Sequence, residues 1–130
     1  MKKVNYKKGR FAHTKRFPHT NHPAYFKKVN NNDIEYVTFT SHDVANFYGE
    51  KIETFRLFEN IDKSKKNSNK YSYVVSRVYE GTRDSLGKGT NKFYLSQKDY
   101  DLIMRIFSSS PRVKIKNLDK SRFKRNTHSK

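Results

Sequence analysis

The stretch HPAYFKKVNNNDIEYVTFTSH, residues 22–42, decides how the chain folds. Residues 24–29 and 33–41 are rich in aromatic and β-branched types. Between them lie Asn30, Asn31 and Asn32, which favour a turn because the short amide side chain hydrogen-bonds its own backbone. The stretch predicts a β-hairpin. A turn centred near Asn31 and Asn32 pairs Val29 with Ile34, Tyr25 with Thr38 and His22 with Ser41, to within a residue of register. His22 then comes within reach of Thr40, Ser41 and His42 at the open end. Pro23 is tolerated as the first residue of a strand, and Ser and His commonly follow one, so no single residue here is diagnostic. What marks the end as a candidate site is convergence: two imidazoles and two hydroxyls, with Lys27 and Lys28 expected nearby.

Working outward, KIETFRLFE (residues 51–59) alternates Ile52, Thr54, Arg56 and Phe58 with Glu53, Phe55, Leu57 and Glu59, the period of a strand with one half-wet face. Residues 62–70, DKSKKNSNK, read as a solvated loop. A dense β-propensity run from Tyr71 to Tyr79 follows, ended by Gly81. Residues 81–91 read as loop and residues 92–95, KFYL, as a short last strand. Ser96 followed by Asp99 is a helix start, since the hydroxyl can cap orphan amides and an acid suits the first turn. The helix is expected over residues 97–107, burying Leu102, Ile103, Ile106 and Phe107 on one face. With no βαβ alternation, the pattern predicts an α+β, mainly β fold: a small antiparallel β-barrel of about five strands with a C-terminal helix.

Charge is concentrated at the ends. Of the net +17, residues 1–21 supply seven Lys or Arg and no acid, and residues 108–130 supply eight against Asp119 alone. The expected organisation is a basic N-terminal arm (1–21), a barrel domain (22–107) and a basic C-terminal tail (108–130). Such ends gain most from a polyanion, through phosphate neutralisation and counterion release. Nucleic acid is the leading partner. A membrane surface is disfavoured because Asn, Thr, Ser and His interrupt any apolar face. The backbone-contact candidates are Lys7, Lys8, Arg10, Lys15 and Arg16 in the arm, Arg122, Lys124 and Arg125 in the tail, and Lys27, Lys28, Ser41, Arg56 and Arg77 in the domain. The chain has no Cys, which excludes disulfides and a thiol nucleophile. No stretch approaches the roughly 20 apolar residues of a membrane span, so a cytoplasmic protein without metal or cofactor is expected.

Four motifs, in order, resemble the MazF/PemK-like endoribonuclease toxins. They are His22-Pro23-Ala24-Tyr25 opening a strand, Phe39-Thr40-Ser41 ending the next, Tyr71-Ser72-Tyr73-Val74 in a later strand, and Leu95-Ser96-Gln97-Lys98-Asp99 leading a helix. The resemblance covers residues 22–107. It implies a small β-barrel, a homodimer, and an antitoxin partner of protein or RNA. The family's catalytic Arg before the Pro and Thr of the second-strand motif carry over to His22 and Thr40. His22 departs from the family Arg, and the family's N-terminal strand with its Gly-Asp pair is replaced by the basic arm.

RNA cleavage without metal needs a base for the 2′-OH proton, an acid for the leaving oxygen and positive charge for the transition state. His22 and His42 have the intrinsic pKa to share the first two roles with Thr40 beside them, and Arg56, Arg77 or a Lys could supply the third. RNA is expected ahead of DNA as the partner, and the sequence alone leaves both open. The competing reading is a non-catalytic DNA- or RNA-binding module that stacks bases on Tyr25, Phe26, Tyr36 or Phe39, or a protein-interaction accessory protein of a mobile element.

Overall fold

The computed structural model describes residues 10–15, 21–47, 50–61, 71–90 and 92–117. Among these residues nine strands and one α-helix follow in the order β1 (Phe11–Thr14), β2 (Pro23–Lys28), β3 (Asp33–Thr40), β4 (Val44–Phe47), β5 (Glu50–Arg56), β6 (Tyr73–Val75), β7 (Val78–Thr82), β8 (Leu86–Thr90), α1 (Gln97–Ser109) and β9 (Arg112–Lys114). The class is mainly β with one helix, as the alternating patterns predict.

The β2–β3 hairpin lies in the middle of the sheet, whose main path is β4-β5-β6-β3-β2-β1-β8. Its turn is built by Asn30, whose side-chain oxygen accepts from the backbone N–H of Asn32 and Asp33 at 3.0 and 2.9 Å while its amide donates to Asp33 Oδ2. The Val29 N–H donates to Asp33 O. The turn therefore closes one residue earlier than a centre near Asn31 and Asn32 would place it, and the register is Lys28↔Ile34, Tyr25↔Val37 and Ala24↔Thr38.

Side chains alternate between the two faces of the sheet. One face carries Phe11, Tyr25, Val37, Phe39, Val74 and Val78, and α1 covers it with Leu102, Ile103, Ile106 and Phe107. Each such fully buried side chain contributes about 1.5–3 kcal/mol, so the helix is held by its apolar stripe rather than by propensity. Its start is fixed by Ser96, whose hydroxyl accepts from the Asp99 N–H at 3.2 Å. The other face carries Ala12, Ala24, Phe26, Ile34, Tyr36, Ile52, Val75, Tyr79 and Leu86.

The sheet curls toward this second face. Thr82 ends β7 and Leu86 begins β8, yet four ladder gaps separate these strands along β7–β3–β2–β1–β8. At about 4.8 Å per gap a flat sheet would hold them about 19 Å apart, whereas four residues reach about 14 Å. The crossover is the 3₁₀ turn Arg83–Ser85, and Arg83 lies over the Phe26 ring at 4.8 Å.

Several expectations need correction. The sheet has nine strands rather than five, and its path stays open at β4 and β8 instead of closing into a barrel. The run Tyr71–Tyr79 is broken between β6 and β7, because Ser76 turns its N–H and hydroxyl to Glu53 O while Val78 donates to Pro111 O. Residues 92–95 form only an isolated bridge at Phe93, and the strand lies at β8, in the glycine-rich stretch read as loop. Two pieces of the basic ends belong to the sheet: β1 pairs with β2 and β8, and β9 runs parallel to β7. Among the described residues no helix is long and apolar enough to cross a membrane.

Candidate nucleic-acid interface

The open end of the hairpin gathers polar side chains from five strands or strand ends. The β2–β3 register, continued two residues past Ala24↔Thr38, brings His22 level with Thr40. His22 Nδ1 lies 3.4 Å from Phe39 O, at the peptide that joins Phe39 to Thr40. On its other side His22 is tied to Thr14: the His22 N–H donates to Thr14 Oγ1 and the Thr14 N–H donates to His22 O, both at 2.9 Å. Asn21, just before, takes φ 60°, a left-handed conformation that asparagine tolerates, and donates its N–H to Thr14 O at 2.7 Å. Across β3, Thr40 is opposite Tyr73 of β6, and Tyr73 is opposite Arg56 of β5. Residues directly opposite in a ladder project to one face, so Thr14, His22, Thr40, Tyr73 and Arg56 form a transverse row at the end of the second face.

The row ends in a cation. Arg56 Nη1 donates to the Tyr73 hydroxyl at 2.8 Å, and the guanidinium lies 5.4 Å from the Tyr73 ring centroid. Among the described residues it forms no ion pair with a carboxylate, and it is exposed. A guanidinium offers five N–H donors, so several remain for a ligand. The Tyr73 hydroxyl, having accepted from Arg56, keeps its own hydrogen to donate. Thr40 Oγ1 accepts from the His42 N–H at 3.3 Å and likewise keeps its hydrogen, although the residue is only 9% exposed.

A second imidazole stands behind the row. His13 packs edge-on against Phe93, with ring centroids 5.5 Å apart. Burial, then the Lys92 ammonium and His22, hold its pKa below the usual histidine value, favouring the neutral ring.

The structure thus brings together His22, Thr40 and Arg56 of the sequence-derived candidates. It adds Thr14, Tyr73 and His13, which sequence reasoning missed. Ser41 and His42 are exposed beyond the end of β3, and the bond that ties His42 to Thr40 comes from its backbone. Lys27 and Lys28 are not at this end. They sit at the turn end of β2, about 16–20 Å along the strand from His22, and Lys27 lies over the Phe107 ring of α1 at 4.8 Å. Arg77 is half-buried between β6 and β7, and its charge acts on the Tyr79 phenol. Arg10 is half-buried beside β1, with its carbonyl accepting from the Phe26 N–H. Lys7, Lys8, Arg16, Arg122, Lys124 and Arg125 lie outside the described residues. No period marks Thr14 in the sequence: FAHT buries Phe11, Ala12 and Thr14 alike, and its place as a strand follows from pairing with β2 and β8.

Among the described residues no three His, Cys, Asp or Glu converge as metal ligands. Comparison with protein-family models, with curated proteins and with solved structures gave no match.

Proposed function

We propose that this protein binds single-stranded RNA across the row Thr14–His22–Thr40–Tyr73–Arg56. The observation that carries the reading is the row itself: hydroxyl, imidazole, hydroxyl, phenol and guanidinium at one sheet end, with the guanidinium unpaired by any carboxylate among the described residues. The cation suits a phosphate and the phenol can stack or donate, while Thr14 and Thr40, both buried, hold His22 and the end of β3 in place beside them. The net charge of +17 supports a polyanionic ligand over a small neutral one. The ordered motifs that resemble MazF/PemK-like proteins point the same way, with His22 and Thr40 in this row.

A second reading, cleavage without metal, is favoured by the imidazole within the row. A hydrogen on Nδ1 directed at Phe39 O leaves Nε2 as the basic nitrogen. It could take the 2′-OH proton as the 2′-oxygen attacks phosphorus and the 5′-oxygen leaves with a proton from an acid. Arg56 would face the charge on the phosphorus oxygens.

Both readings are tested by incubating purified protein with mixed-sequence single-stranded RNA in excess chelator. RNA retardation by the wild type is the expected result for binding, and its absence overturns the proposal. For cleavage, His22→Ala should lower the rate about a hundredfold while weakening binding far less; intact RNA with both proteins removes the second reading alone.

A further inference from the structure

A separate basic groove adjoins the row. Its volume is about 710 Å³, within the range of about 300–1,000 Å³ usual for ligand sites, and Lys15, Asn32, Arg83, Asp84, Gly87 and Lys88 line it. It opens where the Arg83–Ser85 crossover passes from β7 to β8, beside the end of β1. Lys15 follows Thr14 directly, and Leu86, which also lines the groove, is opposite Thr14 in the β1–β8 ladder. The groove therefore lies next to the Thr14 end of the row.

Its cations are placed for a ligand rather than for one another. Arg83 is fixed by donating Nη1 to Gly87 O at 2.9 Å and to Leu86 O at 3.3 Å, and by its stack on Phe26. These partners are neutral, so the guanidinium keeps its full charge in the wall. Lys15 and Lys88 are exposed, and among the described residues neither ammonium forms an ion pair or hydrogen bond. The Lys15 stem runs along β8 at Gly87, where a Cβ would stand 3.8 Å from its Cγ. Asp84, the acid in the lining, accepts from the Thr82 hydroxyl. Three cations thus face one carboxylate already engaged by a neighbour.

We propose that this groove binds the phosphodiester backbone of the same nucleic-acid strand that crosses the row, making it a second, base-independent contact. The inference rests on the RNA-binding reading for the identity of its ligand. A strand entering over Lys88 and Lys15 would reach His22 across the buried Thr14, to whose hydroxyl the His22 N–H is bonded. Contacts of this kind position the strand and carry no sequence information.

The test compares the Lys15→Gln/Lys88→Gln double variant with wild type for long single-stranded RNA and for a dinucleotide, over a range of salt. Both lysines are exposed, so melting should not change. Two lost phosphate contacts should flatten the log–log salt slope for long RNA by about 1.4, since each contact to a single strand contributes about 0.7. Dinucleotide binding at the row should not change, and Lys15→Arg/Lys88→Arg should keep the wild-type slope. An unchanged slope in the Gln double variant overturns the groove and leaves the row standing. A flattened slope together with no effect of Arg56→Ala supports the groove and overturns the row. Equal weakening of long RNA and dinucleotide overturns the groove as a separate site.

Discussion

Asp99 and Arg56 each tie together segments distant in the chain, and they do so under opposite conditions. Asp99 is fully buried at the start of α1. Its two oxygens accept from the N–H groups of Phe58 and Glu59, at 2.7 and 3.0 Å, stapling the residues after β5 to the helix. Glu59 is held in turn by the Tyr94 hydroxyl at 3.1 Å. Burial raises the Asp99 pKa, and the backbone hydrogen bonds to Phe58 and Glu59 and the Ser96 bond oppose the rise. Arg56 makes its 2.8 Å bond to Tyr73 at an exposed sheet end and keeps donors over. The contrast teaches how to sort polar clusters. One whose groups are buried and engaged maintains the fold, whereas one with open valences facing solvent is available to a ligand.

The largest expected effect would break the first half of that contrast. Asp99→Ala deprives two part-buried backbone donors of their acceptor and should destabilise the protein by about 3 kcal/mol, measured by urea unfolding. A loss within about 0.5 kcal/mol, as at an ordinary surface position, would show that the staple is dispensable.

The next effect sharpens the second half. Tyr73→Phe removes the hydroxyl that Arg56 touches but keeps the ring. It should weaken RNA binding about fivefold, equivalent to about 1 kcal/mol for one hydrogen bond, with little change in unfolding free energy. A variant that unfolds more easily and binds normally would place Tyr73 with Asp99 among the structural residues.

The smallest effect concerns the imidazole behind the row. His13 titrates below the usual histidine value in the folded protein because of burial, Lys92 and His22. The folded state therefore binds its proton less readily than the unfolded chain. The stability this confers is present above the unfolded pKa and is lost as pH falls through the folded one. Unfolding free energy should decline between about pH 7 and pH 5, and His13→Gln should flatten that decline. The same slope in both proteins would exclude His13 as the source.

How much of this was legible in the sequence follows from how local each feature is. The hairpin, its asparagine turn, the Ser96 cap and the apolar stripe of α1 each depend on residues a few positions apart, and all were read correctly. The register was read one residue late because the Asn30 hook onto Asp33, not the midpoint of the asparagine run, closes the turn. β8 was read as loop because Gly87 and Gly89 carry no β-propensity; its place beside β1 depends on tertiary pairing and on space for the Lys15 stem. Of the row, His22 and Thr40 were visible through the hairpin alone. Tyr73 and Arg56 joined them only through the β3–β6 and β5–β6 registers, which no local pattern specifies. Lys27 and Lys28 were misassigned for the opposite reason: they are near His22 in sequence, but an extended strand carries them to the far end.

The most direct test of the account is Arg56→Ala, assayed for single-stranded RNA affinity and for unfolding free energy in the same buffer. The account predicts affinity reduced about tenfold, the size of one charged hydrogen bond, with stability unchanged within about 0.5 kcal/mol. Wild-type affinity, or a loss of affinity that only follows a loss of stability, would contradict it.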